Sequence, residues 1–331
     1  MNKTIADIAE LAGVAKSTVS RFLNGGSVSK ATRQKIEQVI KEYHYVPNTF
    51  AQSLKARKTN IIGTVVPRLD SFATSQTLMG IDDELRSANF QMLISNTSQD
   101  MKREIEAIYD FARQKVSGII LLAAKISDAH LKAAEDTKIP ILLVGQQHPS
   151  LYSLIHDDYN AGFTMGRHVY EQGHRQIAYL GVTEEDIAVG VQRKTGFMKS
   201  LENTPCHVRY YETSFKMMDA VNAADRILDE FSPSIIVCAT DNIALGVMKA
   251  AYLKNIAIPS ALSITGFGGY DVTEIIHPTL TTIRFFYKET GKVAAHHMIR
   301  LVRDEHIDKI TKMNYELLER GSVDKRQKPS L

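Results

Sequence analysis

Two cysteines in 331 residues, Cys206 and Cys238, are too few for a disulfide scaffold and fit a reducing compartment. Cys238 lies in an apolar run, where a thiol serves as core packing. No apolar stretch approaches the length needed to cross a bilayer. The N-terminus leads into a capped helix instead of a charged start, an apolar core and a cleavage site. The expectation is a cytoplasmic chain without a membrane partner, for which the Asn96-Thr97-Ser98 sequon carries no meaning. Catalytic signatures are equally scarce. There is no P-loop, no Gly-x-Ser-x-Gly elbow and no His-Glu-x-x-His, and Gly266-x-Gly268-Gly269 lacks the spacing of a dinucleotide fingerprint. The acid pairs Asp82-Asp83 and Asp157-Asp158 are adjacent, so their side chains diverge. His296 and His297 point about 100° apart on a helix, which suits a surface better than a metal. Neither catalysis nor a cofactor is expected.

The net charge is small, but the charges are unevenly placed. The net charge is +3, yet residues 1–60 hold ten Lys or Arg against four acids, leaving 30 against 33 for the remainder. A basic head on a mildly acidic body is the electrostatic footprint of a protein that meets a polyanion.

That head carries a recognisable pattern. Ile5, Ile8, Ala9 and Ala12 recur at helical spacing, and Thr4 with Asp7 forms a capping box. Gly13 can take the left-handed backbone that stops the helix. A second helix starts near Ala15, turning Val19 and Phe22 inward and Lys16, Ser17, Thr18, Ser20 and Arg21 outward. Two short helices joined at a glycine make a helix-turn-helix, whose second helix can enter a major groove. Lys16 and Arg21 can donate to guanine edges or phosphates, and Ser17 is small enough to approach bases. A third helix, capped by Ser29, would cover the pair with Ile36, Val39, Ile40 and Tyr43. Val46-Pro47-Asn48 then breaks the helix. Residues 49–58, with Asn48 as cap, can form two to three turns, too short to be stable alone, and expose Leu54 among polar and basic residues. Such a segment can fold against DNA with Leu54 wedged into a minor groove.

The block IADIAELAGVAKSTVSRFLNG, followed by VSKATRQKIEQVIKEYHYVPNTFAQSLKARKTNIIGTVVP, resembles the DNA-binding head and hinge of the lactose/galactose repressor family. The resemblance extends over essentially the whole chain. It implies a homodimer on near-palindromic operator DNA, with Lys16, Ser17 and Arg21 reading bases. It also implies that Thr4, Thr18, Ser20, Asn24, Ser29 and Thr32 anchor the backbone, that Asn48 and Ala51 belong to the DNA-contacting hinge, and that Leu54 intercalates.

From residue 61 the chain alternates strand and helix, with buried-type strands at 61–66, 91–95, 118–122, 141–144, 176–180, 234–239 and 262–266. Alternation of this kind means parallel sheets covered by helices on both faces. A break near 156–159 divides the strands into two doubly wound lobes. The expected architecture is an all-α helix-turn-helix head (residues 1–46), a hinge helix (47–60) and an α/β core like a periplasmic binding protein (61–331). Lobe 1 would take about 61–157 and 287–312, and lobe 2 about 158–286 and 313–331, because the family implies three crossings.

Ligands of such sheets sit beyond the carboxyl ends of the strands, here a cleft between lobes. Arg68, Asp70, Ser71 and Phe72 follow the first strand, Asp158 follows another, Asp241 opens a helix and Gly268 ends a strand. Acids, an arginine and aromatics suit a sugar, since planar polar groups bind hydroxyls and rings stack on pyranose faces. The resemblance makes Arg193, in Arg-x-x-Gly-Phe, the effector arginine and Asp241 the acid that precedes a helix. Gly268 stands where many members carry an acid or asparagine, and its missing side chain is expected to open space for a ligand larger than a monosaccharide. Phe285, Phe286 and Tyr287 add aromatic candidates, of which one or two must be core. The string GFGGY with HPTLTTIRFFYKETG is similar to repressors of sucrose operons, which implies sucrose or a related fructose-containing disaccharide. Sugar binding would separate the hinges and release the operator. A corepressor of opposite sign, or a catabolite-control-type regulator that answers to a phosphorylated carrier protein, would use the same parts, whereas a sugar-binding transport protein would share the lobes but have no use for residues 1–58. The polar tail has no leucine heptad, so a dimer is expected instead of a tail-linked tetramer.

Overall fold

The computed structural model describes residues 3–23, 26–45 and 59–326, which form two units divided at residue 59. In the head, α1 (Ile5–Leu11), α2 (Lys16–Leu23) and α3 (Lys30–Glu42) close on Ile8, Ala9, Ala12, Val19, Ile36 and Val39. The Thr4 hydroxyl accepts from the Asp7 amide while the Asp7 carboxylate accepts from the Thr4 amide, completing the capping box. Gly13, at φ +66, takes the left-handed step after α1. The Ser29 hydroxyl caps α3 by accepting from the Thr32 amide at 3.2 Å. One expectation fails: Tyr43 is 40% exposed and lies under the Lys3 ammonium, because it follows the end of α3 instead of extending its apolar stripe.

The core runs β1 (Ile61–Val66), α4 (Phe72–Ser87), β2 (Gln91–Asn96), α5 (Met101–Arg113), β3 (Gly118–Leu122), α6 (Asp128–Thr137), β4 (Ile141–Val144) and β5 (Tyr152–His156). It continues with α7 (Asp158–Glu171), β6 (Gln176–Gly181), a π-helical turn (Ile187–Arg193), α8 (Lys194–Ser200), β7 (His207–Glu212), α9 (Met217–Glu230), β8 (Ile235–Cys238) and α10 (Asp241–Leu253). The last elements are β9 (Ser263–Gly268), α11 (Val272–Ile275), β10 (Thr281–Phe285), α12 (Tyr287–Val302), β11 (Ile310–Met313) and β12 (Tyr315–Leu318). One sheet has the order β11-β5-β4-β3-β1-β2 and is parallel throughout. The other has the order β12-β10-β9-β8-β6-β7, and within it β12 alone runs antiparallel. The chain passes between sheets after β5, after β10 and after β11. Strands covered on both faces are buried end to end, as in β3, β4, β8 and β9.

Each lobe has one helix crossing tightened by a reciprocal pair of glycines. A Cβ on Gly80 of α4 would strike the Lys288 carbonyl of α12, and one on Gly291 of α12 would strike the Thr77 carbonyl of α4. In the second lobe a Cβ on Gly162 of α7 would strike the Arg193 carbonyl, and one on Gly196 of α8 the Tyr159 carbonyl. Backbone therefore lies on backbone at this crossing, which fixes where the Arg193 side chain starts.

Candidate functional site

On α2 the side chains of Lys16, Ser17 and Arg21 are exposed, Thr18 and Ser20 are half-buried, and Val19 is fully buried. One face of the helix is thus spent on the core and the opposite face offers two cations flanking a small hydroxyl. Gly26 packs under the aliphatic stem of Arg21 and donates its N–H to the Arg21 carbonyl at 2.8 Å, which supports that arginine from behind. The Thr4 hydroxyl belongs to the cap of α1, and the Ser29 and Thr32 hydroxyls pair at 2.8 Å at the start of α3. Asn24, Asn48, Ala51 and Leu54, and with them the expected hinge helix, lie outside the described residues.

In the core the expected effector residues fall into three groups. The first is sealed. Arg193, at the end of the π-helical turn, is 5% exposed. It donates from Nε to Asp158 Oδ1 at 3.1 Å, from Nη2 to the same oxygen at 2.5 Å, and from Nη1 to the Ala239 carbonyl. Its guanidinium lies over the rings of Phe267 and Phe285, 4.8 and 5.0 Å from their centroids. Burial pushes the Asp158 carboxyl above its ordinary range, and the charge of Arg193 pulls it back. Asp241 is fully buried: its Oδ2 accepts from the Tyr270 amide at 2.9 Å and its Oδ1 from the Thr282 hydroxyl at 2.6 Å. Burial raises this carboxyl to about 6. Both its oxygens serve the protein, pinning the turn after β9 to β10.

Gly268 belongs to the same sealed group and corrects the sequence reading. A Cβ there would strike the Tyr270 ring and come within 2.9 Å of Asp241 Oδ2. The space left by the missing side chain is filled by tyrosine instead of being open. Gly268 (φ +147) and Gly269 (φ +69) let the chain fold that ring back over the strand end.

The second group forms an aromatic wall across the lobe junction. Phe72, at the start of α4, packs on Tyr270 of the other lobe with centroids 4.5 Å apart. Tyr270 neighbours Tyr287 at 6.4 Å, Tyr287 meets His156 edge-on at 5.4 Å, and His156 lies 5.0 Å from Phe285. Phe285 is core, whereas Phe286 is exposed beneath the Arg284 guanidinium. Beyond the wall a cavity of about 310 Å³ is lined by Phe72, Gln76, Asp271, Tyr287, Lys288 and Lys292, among others.

The third group sits apart. Arg68 and Asp70 pair at 3.8 Å and line a cavity of about 380 Å³ with Asn96, Ser98 and Gln99, at the carboxyl ends of β1 and β2. The Arg68 guanidinium also lies 5.2 Å from the ring of Phe215, which belongs to the loop between β7 and α9 of the other lobe. Ser71 caps α4 through its hydroxyl, accepting from the Thr74 amide at 3.4 Å. The nine residues are therefore not gathered around one open pocket. Tyr270, Phe215 and His156, which are not among the nine, link the groups. Tyr270 was visible inside GFGGY, while Phe215 follows β7, a strand whose polar edge character hides it.

Among the described residues no three His, Cys, Asp or Glu side chains are placed to hold a metal ion, and no helix is long and apolar enough to cross a membrane. Residues 4–48 match the family described as bacterial regulatory proteins, lacI family, and residues 59–318 that of periplasmic binding proteins and sugar binding domain of LacI family. The sucrose operon repressor of Staphylococcus xylosus is 41% identical over 309 residues, covering 92% of this chain and 96% of its own. Catabolite control protein A of Priestia megaterium is 26% identical over 315 residues, covering 93% and 95%. The solved structure of a lac repressor dimer bound to operator and the anti-inducer ONPF shares the fold, with a TM-score of 0.91 at 23% identity over 98% of this chain and 100% of that one. Proteins of this kind regulate transcription and are not enzymes. With a helix-turn-helix head matched at one end and a sugar-binding core across the rest, the chain belongs to the LacI family, as a DNA-binding transcriptional repressor.

Proposed function

We propose that this repressor works in the cytoplasm as a homodimer, holds a near-palindromic operator of a carbohydrate-utilisation operon, and leaves it when a sugar enters between the lobes. The observation that carries the reading is the sealed Arg193–Asp158 pair behind the Phe72–Tyr270 contact. A charged, planar hydrogen-bonding group beside aromatic rings is the chemistry that recognises a sugar. Here it is reachable only if the lobes shift. A ligand that binds the shifted arrangement better must, by linkage, move the protein toward it. Three of the five guanidinium N–H groups have protein acceptors, which leaves two for hydroxyls. Lys16, Ser17 and Arg21 read bases, Thr4, Thr18, Ser20, Asn24, Ser29 and Thr32 anchor phosphates, and Asn48, Ala51 and Leu54 act in the hinge. Sucrose or a related fructose-containing disaccharide is the favoured effector, a reading supported by the 41% identity to the sucrose operon repressor of Staphylococcus xylosus.

The test is fluorescence anisotropy on a labelled duplex that the purified protein itself selects from a random pool. Sucrose should release the duplex and maltose should not. A complex that survives every mono- and disaccharide tried would rule out induction by sugar, and tighter binding with sugar would make the ligand a corepressor. Leu54→Ala should weaken binding of the duplex without changing sugar affinity.

A further inference from the structure

The run His156-Asp157-Asp158 ends β5 at the first passage between lobes, and its three side chains are used unequally. Asp157 caps α7, accepting from the Asn160 amide and side chain, and pairs with Lys312 at 3.4 Å. Asp158 is spent on Arg193. His156 Nδ1 is buried and has no hydrogen-bond partner. Leaving such an atom unpaired is unfavourable, so it marks either a packing compromise or a place prepared for a partner. Its surroundings favour the second. The imidazole sits at a strand's carboxyl end, where ligands of this sheet type bind. Phe285 and Tyr287 flank it at 5.0 and 5.4 Å. Burial, with the nearby Arg193 charge, lowers its pKa to about 4, so at neutral pH the ring is uncharged. A neutral imidazole has one N–H donor and one acceptor nitrogen, the complement of a hydroxyl group.

We infer that His156 is a specificity-determining residue of the effector site, which hydrogen-bonds a hydroxyl of the bound sugar beside Arg193. The inference rests on the sugar-effector reading above. It also says how that site tells sugars apart: a site built to pair with a particular hydroxyl rejects the analogue that lacks it, since the imidazole is then left orphaned again.

The experiment is isothermal titration of the full-length protein with sucrose and a set of monodeoxy-sucroses, using wild type, His156→Phe and His156→Gln. In wild type one deoxy analogue should bind about tenfold more weakly than sucrose, the size expected for one or two neutral hydrogen bonds. In His156→Phe sucrose itself should weaken about tenfold, the penalty for that analogue should vanish, and His156→Gln should recover part of the loss. The unliganded melting midpoint of His156→Phe should equal or exceed that of wild type, because an orphaned polar atom is removed. Full sucrose affinity in His156→Phe, deoxy penalties that persist in it, or a lowered unliganded midpoint would each overturn the assignment while leaving a sugar effector in place. Wild-type protein that binds no sucrose would take down the effector reading and this inference together.

Discussion

A single arginine illustrates how burial changes what a mutation reports. From sequence, Arg193→Ala reads as a change that blinds the repressor to its inducer. The structure adds a cost, because Asp158 would be left buried without its partner. Breaking a buried pair by removing one member destabilises by about 3–5 kcal/mol, more than most surface changes by several-fold. Urea unfolding of Arg193→Ala should therefore show a marked loss of stability, and Arg193→Ala combined with Asp158→Asn should recover part of it. Equal stability of the single variant and wild type would mean that the pair contributes nothing net. His174 offers a second test, through pH. Its ring is fully buried, donates or accepts at Ser234 Oγ over 2.9 Å, and burial lowers its pKa to about 4. Between that value and its ordinary 6.5 the unfolded chain binds a proton that the folded chain does not, so stability rises with pH across this window. It is fully present above 6.5 and is lost as pH falls toward 4. His174→Asn should flatten that part of a melting-midpoint profile.

At the scale of elements, the glycine pairs set geometry that no single side chain reveals. Gly196→Ala would push α8 off α7 against a backbone carbonyl, and overpacking of this kind costs about 1–3 kcal/mol. Because the same crossing carries Arg193, Gly196→Ala should lose sugar affinity as well as stability. Gly80→Ala, at the matching crossing of the other lobe, should lose stability with less effect on sugar affinity. Calorimetric melting with sugar titration separates the two. Legibility in the sequence follows the same physics. Strands β3 and β4 are readable to the residue because strands buried on both faces are unbroken apolar runs, and β1 is readable because its one polar residue, Thr64, is uncharged and flanked by apolar ones. β7 was missed because it is an edge strand, largely exposed, with His207 and Arg209 in it. β10 was missed because Thr281 and Thr282 look polar, although both are buried and their hydroxyls are spent on the Arg320 carbonyl and on Asp241. Arg193 and Asp158 were legible as residues but their partnership was not, since 35 residues separate them and only the fold brings them together.

On the scale of the whole core, several contacts cross between the lobes. Phe72 meets Tyr270, Arg68 lies over Phe215, and the Ile187 amide donates to the Ala124 carbonyl at 3.4 Å. Each ties one lobe to the other, and on the sugar-effector proposal a ligand that parts the lobes breaks them. An aromatic pair of this kind contributes about 0.5–1.5 kcal/mol beyond its buried area, comparable to the 1–3 kcal/mol typical of coupling between two sites. Phe72→Ala should therefore favour the parted arrangement before any ligand arrives. Sugar would then bind more tightly by several-fold, since less is lost on opening. If the shut arrangement is the one that grips operator, reciprocity requires operator affinity to change in the opposite direction. Sugar affinity of Phe72→Ala by calorimetry and its operator affinity by anisotropy decide the matter as a pair. Tighter sugar with weaker operator supports a junction that is shut on DNA, and tighter sugar with tighter operator assigns the DNA-bound state to the parted form. Unchanged values of both would remove the Phe72–Tyr270 contact from the mechanism.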